Sequence, residues 1–162
     1  MIDIENVRKA LHELGINNFM DNGNGIQFFW ETKKNNPIKY YLDTEGDFLE
    51  LSAYTFEVSG SDWMLRIINK YNTEIYSPYK ILKFRRQPNK KLCIELDVPK
   101  ASVCGEDLIK KFIFLSCEAI DEIDELLTTI EKKMPINEQL RCMQEAEKGL
   151  YVNIDCKYEM RW

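Results

Sequence analysis

The sequence predicts an α+β fold: an antiparallel sheet packed by helices in the order α-β-β-β-α-β-β-α, then a C-terminal helix and strand. Three observations carry this. Aromatic residues crowd the first half (Phe28, Phe29, Trp30, Tyr40, Tyr41, Phe48, Tyr54 and Phe56), which is a strand-rich signature. Short polar links separate alternating runs, and links of that length join antiparallel neighbours. Other stretches repeat apolar residues at spacings of three and four, the period of an amphipathic helix.

Residues 3–14 read as the first helix, with Ile4, Val7, Leu11 and Leu14 on one stripe, Asp3 as N-cap and Gly15 as the stop. Asp21-Asn22-Gly23-Asn24-Gly25 is a turn signal. Three strand runs follow at 26–31, 38–43 and 48–57, linked by Lys33-Lys34-Asn35-Asn36-Pro37 and by Asp43-Thr44-Glu45-Gly46-Asp47. Ser61-Asp62 opens a second helix, whose apolar face is Trp63, Met64, Ile67, Ile68 and Tyr71.

Two further strands are expected at 79–86 and 91–98, with Gln87-Pro88-Asn89-Lys90 as their hairpin turn. A long helix spans 105–133; Leu108, Phe112, Leu115, Ala119, Ile123, Leu126 and Ile130 form a stripe that Ile109, Ile113, Ile120 and Leu127 widen. Such width implies burial against a sheet and not a narrow coiled-coil seam. Pro135 ends it, residues 137–148 read as a short helix, and 150–162 alternate without a break, from Leu150 and Val152 to Met160 and Trp162. That period predicts a terminal strand with Val152, Ile154, Cys156 and Tyr158 buried.

With 162 residues, 44% hydrophobic and 30% charged, the chain reads as one domain, 1–162, with a respectable core. No internal repeat or linker interrupts it. The start, Met1-Ile2-Asp3-Ile4-Glu5, has no secretory pattern, and no apolar run approaches a membrane span. Cys93, Cys104, Cys117, Cys142 and Cys156 are odd in number and unclustered, which fits free thiols in a reducing cytoplasm. A net charge of −5 disfavours nucleic acid as a partner.

The helix end Ile67-Ile68-Asn69-Lys70-Tyr71-Asn72, the stretch Tyr79-Lys80-Ile81, the strand Leu92-Cys93-Ile94-Glu95-Leu96-Asp97-Val98 and the acid-rich helix from Glu106 together carry a resemblance. They resemble the YbjN family, labelled bacterial sensory transduction regulators, within the type III secretion chaperone-like fold. The resemblance covers residues 1–133 and leaves 134–162 as an extension. It implies a binding protein able to form a homodimer and to sequester a client polypeptide, and it carries over no catalytic residue.

Chemistry-bearing constellations are few. The single histidine, His12, cannot make a His-pair metal site, and no CxxC pair is present. No metal, cofactor, disulfide or catalytic dyad is expected. Cys104 sits where a helix N-terminus can activate a thiol, although packing is the commoner role for a free cysteine. Asp43 to Asp47 lacks the spacing of a calcium loop and reads as a hairpin turn. Asn69 and Asn72 either bind a ligand or backbone group or cap the helix end. Lys80, Lys83, Arg85, Arg86, Lys90 and Lys91 make a basic hairpin, and Glu118, Asp121, Glu122, Asp124 and Glu125 an acidic helix face; both read first as solvated surface.

The sheet itself gives the sharpest expectation. Ile26, Phe28, Trp30, Ile38, Tyr40, Leu42, Leu49, Leu51, Ala53, Leu82, Phe84, Leu92, Ile94, Leu96 and Val98 form an inner set beneath the helices. The opposite face, meant for water, carries Phe29, Tyr41, Tyr54, Phe56, Tyr79 and Ile81. Gathered on neighbouring strands, these six make a candidate partner-binding patch, unless the C-terminal extension or a dimer mate covers it. The expected function is a non-enzymatic protein-binding module, chaperone-like or regulatory. An acidic inhibitor or immunity-type protein neutralising one specific partner is the alternative. A pocket-based sensor or enzyme ranks third, since convergent polar groups are missing.

Overall fold

The computed structural model describes residues 2–73, 78–101 and 105–133. In chain order the elements are α1 (Ile4–Glu13), β1 (Met20–Asp21), β2 (Gly25–Glu31), β3 (Pro37–Asp43), β4 (Phe48–Glu57), α2 (Asp62–Thr73), β5 (Lys83–Arg86), β6 (Lys91–Pro99) and α3 (Gly105–Lys133). The strands form one six-stranded antiparallel sheet in the order β1-β2-β3-β4-β6-β5. Cys104, Cys142, Cys156, the helix expected at 137–148 and the strand expected at 150–162 lie outside the described residues.

Local chemistry explains the boundaries. Asp3 caps α1 by accepting from Asn6 N, while the Asn6 side chain accepts from Asp3 N, a reciprocal capping box. Gly15 follows the helix at φ +79°, where a side chain would be strained. The turn at Asn22 to Gly25 closes a β1–β2 hairpin, with Asn22 N donating to Gly25 O at 3.1 Å and Gly23 at φ +93°. The inner residues of β2, β3 and β4 pack with the apolar faces of all three helices in one core cluster. At its centre Tyr40 is fully buried, stacked on Phe28 with centroids 4.9 Å apart, its hydroxyl 2.6 Å from Ser116 Oγ on α3. Burial first, and then the neighbouring Cys117 thiol, push the Tyr40 pKa well up.

Several expectations need correction. The strand expected at 79–86 begins only at Lys83. Pro78 starts a turn instead, and Leu82 N donates to Tyr79 O at 2.9 Å. Tyr79 is therefore not on the outer face: it is 6% exposed, and its hydroxyl donates to Glu122 Oε2 at 2.9 Å on the helical layer. Ile81 lies in the same turn and not on a strand, although it remains exposed. Trp30, placed with the inner set, is partly exposed, at the last turnward residues of β2. The two-residue strand β1 is too short to show alternation and was not expected.

Candidate functional site

Residues paired across antiparallel strands share a face, so the register lays out the outer surface in rows. The first row runs Phe29, Lys39, Tyr54, Cys93, Arg85 from β2 to β5. The second runs Gln27, Tyr41, Ser52, Glu95, Lys83, with Met20 of β1 beside Gln27. The third runs Gly25, Asp43, Glu50, Asp97. Successive rows are roughly 7 Å apart along the strands.

The first two rows make an aromatic platform. Phe29 is 73% exposed and Tyr41 37%. Tyr41 and Tyr54 meet edge to face with centroids 5.4 Å apart. Lys39 Nζ lies 5.5 Å from the Phe29 centroid and 5.0 Å from that of Tyr41, so its cation rests on both rings. Tyr54 is half-buried, and desolvation raises its pKa. Phe56 is half-buried too, but packs against the core. Of the six residues expected on this face, the register brings Phe29, Tyr41 and Tyr54 together; Phe56, half-buried in alternation with the buried Thr55, packs at the border of the core past the register shift in β4, and Tyr79 and Ile81 belong to the turn before β5.

Beyond Tyr54 the first row is closed by packing. Cys93 is fully buried, and desolvation pushes its thiol pKa up to about 11. Arg85 Nε donates to Glu95 Oε1 at 2.9 Å across the two rows. Burial works to raise the Glu95 carboxyl, but the Arg85 guanidinium outweighs it and leaves the pKa lowered. Arg86 is also committed, donating from Nε to Val58 O at 2.8 Å. The basic hairpin is thus partly neutralised from within.

Past Gly25 the third row is acidic. Asp43 faces Glu50, and Glu50 faces Asp97. Like charges directly opposite each other repel. Asp43 Oδ1 accepts from Glu45 N at 2.8 Å, which holds that carboxylate at the strand end. Beside it a hollow of about 250 Å³ is lined by Met20, Gln27 and Tyr41 together with Asp21 and Asp43. Asp21 is paired with Arg8 at 2.6 Å, which holds its carboxyl below the usual range. Individual side chains hid this row from sequence reading: only the β3–β4–β6 register aligns the three acids.

The acidic face of α3 is engaged internally. Asp121 bonds Thr32 and Asn36 of the β2–β3 turn, Lys34 pairs with Glu125 at 2.6 Å, and Glu122 accepts from both Tyr71 and Tyr79. A groove of about 380 Å³ there is lined by Lys34, Tyr79, Asp121, Glu122 and Glu125 with Phe114 and Cys117. Among the described residues no group of three or more His, Cys, Asp and Glu is arranged to hold a metal ion, and no helix is long and apolar enough to cross a membrane. His12 pairs its Nδ1 with Asn17 Oδ1 at 2.7 Å and sets its ring edge-on to Phe19. Comparison with family models, with curated proteins and with solved structures finds no match to this chain.

Proposed function

We propose that this chain is a non-enzymatic protein-binding module, chaperone-like or regulatory, whose partner surface is the outer face of its sheet. The observation that carries the reading is the platform of Phe29 and Tyr41, exposed on the face opposite the helices, with the half-buried Tyr54 packed against Tyr41 and the Lys39 cation over the rings of Phe29 and Tyr41. Scattered apolar side chains on a surface mean little; aromatic side chains gathered on adjoining strands with a polar border have the make-up of an interface. Tyrosines supply large contact area with few rotors to immobilise. The resemblance to the YbjN family supports the same reading and adds a homodimeric form.

A second reading, an acidic inhibitor or immunity-type protein neutralising one partner, draws on the Asp43, Glu50 and Asp97 row. Both readings place the partner on the same face. Replacing Tyr41→Ser and Tyr54→Ser together tests it. Self-association by sedimentation, or recovery of the bound partner, should weaken while the circular dichroism spectrum stays native. Unchanged association and unchanged recovery would return this face to ordinary surface.

A further inference from the structure

We infer that the outer face docks a cationic polypeptide segment, with its apolar side chains on the Phe29, Tyr41 and Tyr54 platform and its lysine or arginine side chains over Asp43, Glu50 and Asp97. The inference rests on the protein-binding reading above and adds the chemistry of the partner.

Charge decides the class of occupant. Of the cations on the first two rows, Lys39 is held over the rings of Phe29 and Tyr41, and Lys83 stands opposite Glu95 at the β5 edge, away from the acidic row. The Arg85 guanidinium is paired with Glu95. The acids of the third row instead face one another across β3, β4 and β6. Their mutual repulsion is an unfavourable feature of the free protein that a cationic partner relieves on binding. A phosphate backbone would meet the same repulsion, which argues against nucleic acid on this face. The hollow of about 250 Å³ is lined by the apolar parts of Met20, Ile26, Tyr41 and Leu42 and by the carboxylate of Asp43, Asp21 being paired with Arg8. A long aliphatic stem ending in a charge suits such a lining. An extended segment also matches the spacing: its alternate side chains, roughly 7 Å apart, step from the Tyr41 row to the Asp43 row.

The test is a titration of the full ¹⁵N-labelled chain with two synthetic dodecapeptides, one repeating valine-serine-lysine-serine, the other valine-serine-glutamate-serine, so that an extended segment sets valine and the charged residue alternately on one face. The lysine peptide should shift the amides of Tyr41, Asp43, Glu50 and Asp97, weaken as salt is added, and outbind the glutamate peptide. The double variant Asp43→Asn/Glu50→Gln should weaken it by roughly ten-fold, the loss of about 1.4 kcal/mol of charge pairing. Tyr41→Ser/Tyr54→Ser should weaken it as well. Native amide dispersion in both variants separates these losses from unfolding. Equal affinity for both peptides, or no effect of the acid substitutions, would overturn the cationic partner while leaving the platform reading in place. Loss in the acid variant with no effect of the tyrosine substitutions would overturn the platform reading, and this inference with it. Shifts that grow with protein concentration in the absence of peptide would make a second copy the occupant and overturn the inference.

Discussion

The side-chain amide of Asn72 is bonded to both backbone groups of Phe84: Nδ2 donates to Phe84 O, and Phe84 N donates to Oδ1, each at 2.7 Å. Phe84 lies on β5, the last strand of the sheet, so these groups point away from β6 along an open edge. One amide from α2 stands in for a neighbouring strand and blunts that edge. The other edge is treated differently. β1 pairs only with Ile26 and Gln27, and residues 28–31 of β2 have no strand beyond them among the described residues.

Removing that stand-in should loosen β5. Asn72→Ala leaves a donor and an acceptor to water, for which the range is about 1–3 kcal/mol, toward the low end at a wetted edge. Urea unfolding should show the loss, and the Phe84 amide should exchange faster. Asn72→Asp keeps the acceptor but not the donor, so it should recover only part of the stability.

A second anchor makes stability sensitive to alkali. Tyr71 and Tyr79 both donate to Glu122, and burial followed by that carboxylate raises both phenol pKa values above the ordinary range. A group whose folded pKa is raised contributes stability that is whole below its unfolded value, about 10 for tyrosine, and is lost as pH rises above it. Unfolding free energy should therefore fall above pH ~10. Glu122→Gln should make that fall shallower, because the charge is gone while burial remains. Denaturant unfolding across that pH range reads both effects.

The acidic row should stabilise the fold when neutralised. Glu50 faces Asp43 on one side and Asp97 on the other. Glu50→Gln should leave stability unchanged or raise it by roughly 0.2–1 kcal/mol, and Glu50→Lys by as much or more. The gain should shrink in high salt. Thermal unfolding at two ionic strengths checks it. A clear loss of stability in Glu50→Gln would mean that the carboxylate has a favourable partner in the fold.

Much of this architecture was legible from patterning. Alternation in β2, β3 and β4 sorted Tyr40, Leu42, Leu49 and Leu51 to the core, and the three-and-four spacing placed α3 at Gly105–Lys133. The failures have physical causes. Tyr79 and Ile81 alternate with Leu82 and Phe84 as a strand would, but Pro78 and the Glu122 hydrogen bond turn the chain there, and alternation carries no sign of a turn. Asn72 reads from sequence as a helix cap or as a binder of a backbone group; that the group is Phe84, twelve residues on, lies beyond the reach of local spacing. The Asp43, Glu50 and Asp97 row depends on strand register, which pairs residues far apart in the chain.

The thiols of Cys93 and Cys117 should be inert in the folded state. Cys93 is fully buried with its pKa pushed up to about 11, and burial raises that of Cys117 as well. Since the thiolate is the reactive form, iodoacetamide near neutral pH should leave both unmodified until denaturant is added. Peptide mapping reads each site separately. Rapid native alkylation of Cys93 would show that the rows around Tyr54 and Arg85 open readily.

The face used for binding is tested most directly by hydroxyl-radical footprinting of the protein alone and in complex with its recovered partner. Phe29 and Tyr41 report the outer face, and Phe114, 60% exposed on α3, reports the helical layer. Binding through the sheet should suppress oxidation of Phe29 and Tyr41 and leave Phe114 as it was. Protection of Phe114 with undiminished oxidation of Phe29 and Tyr41 would place the partner on the helices and contradict the assignment of the outer face.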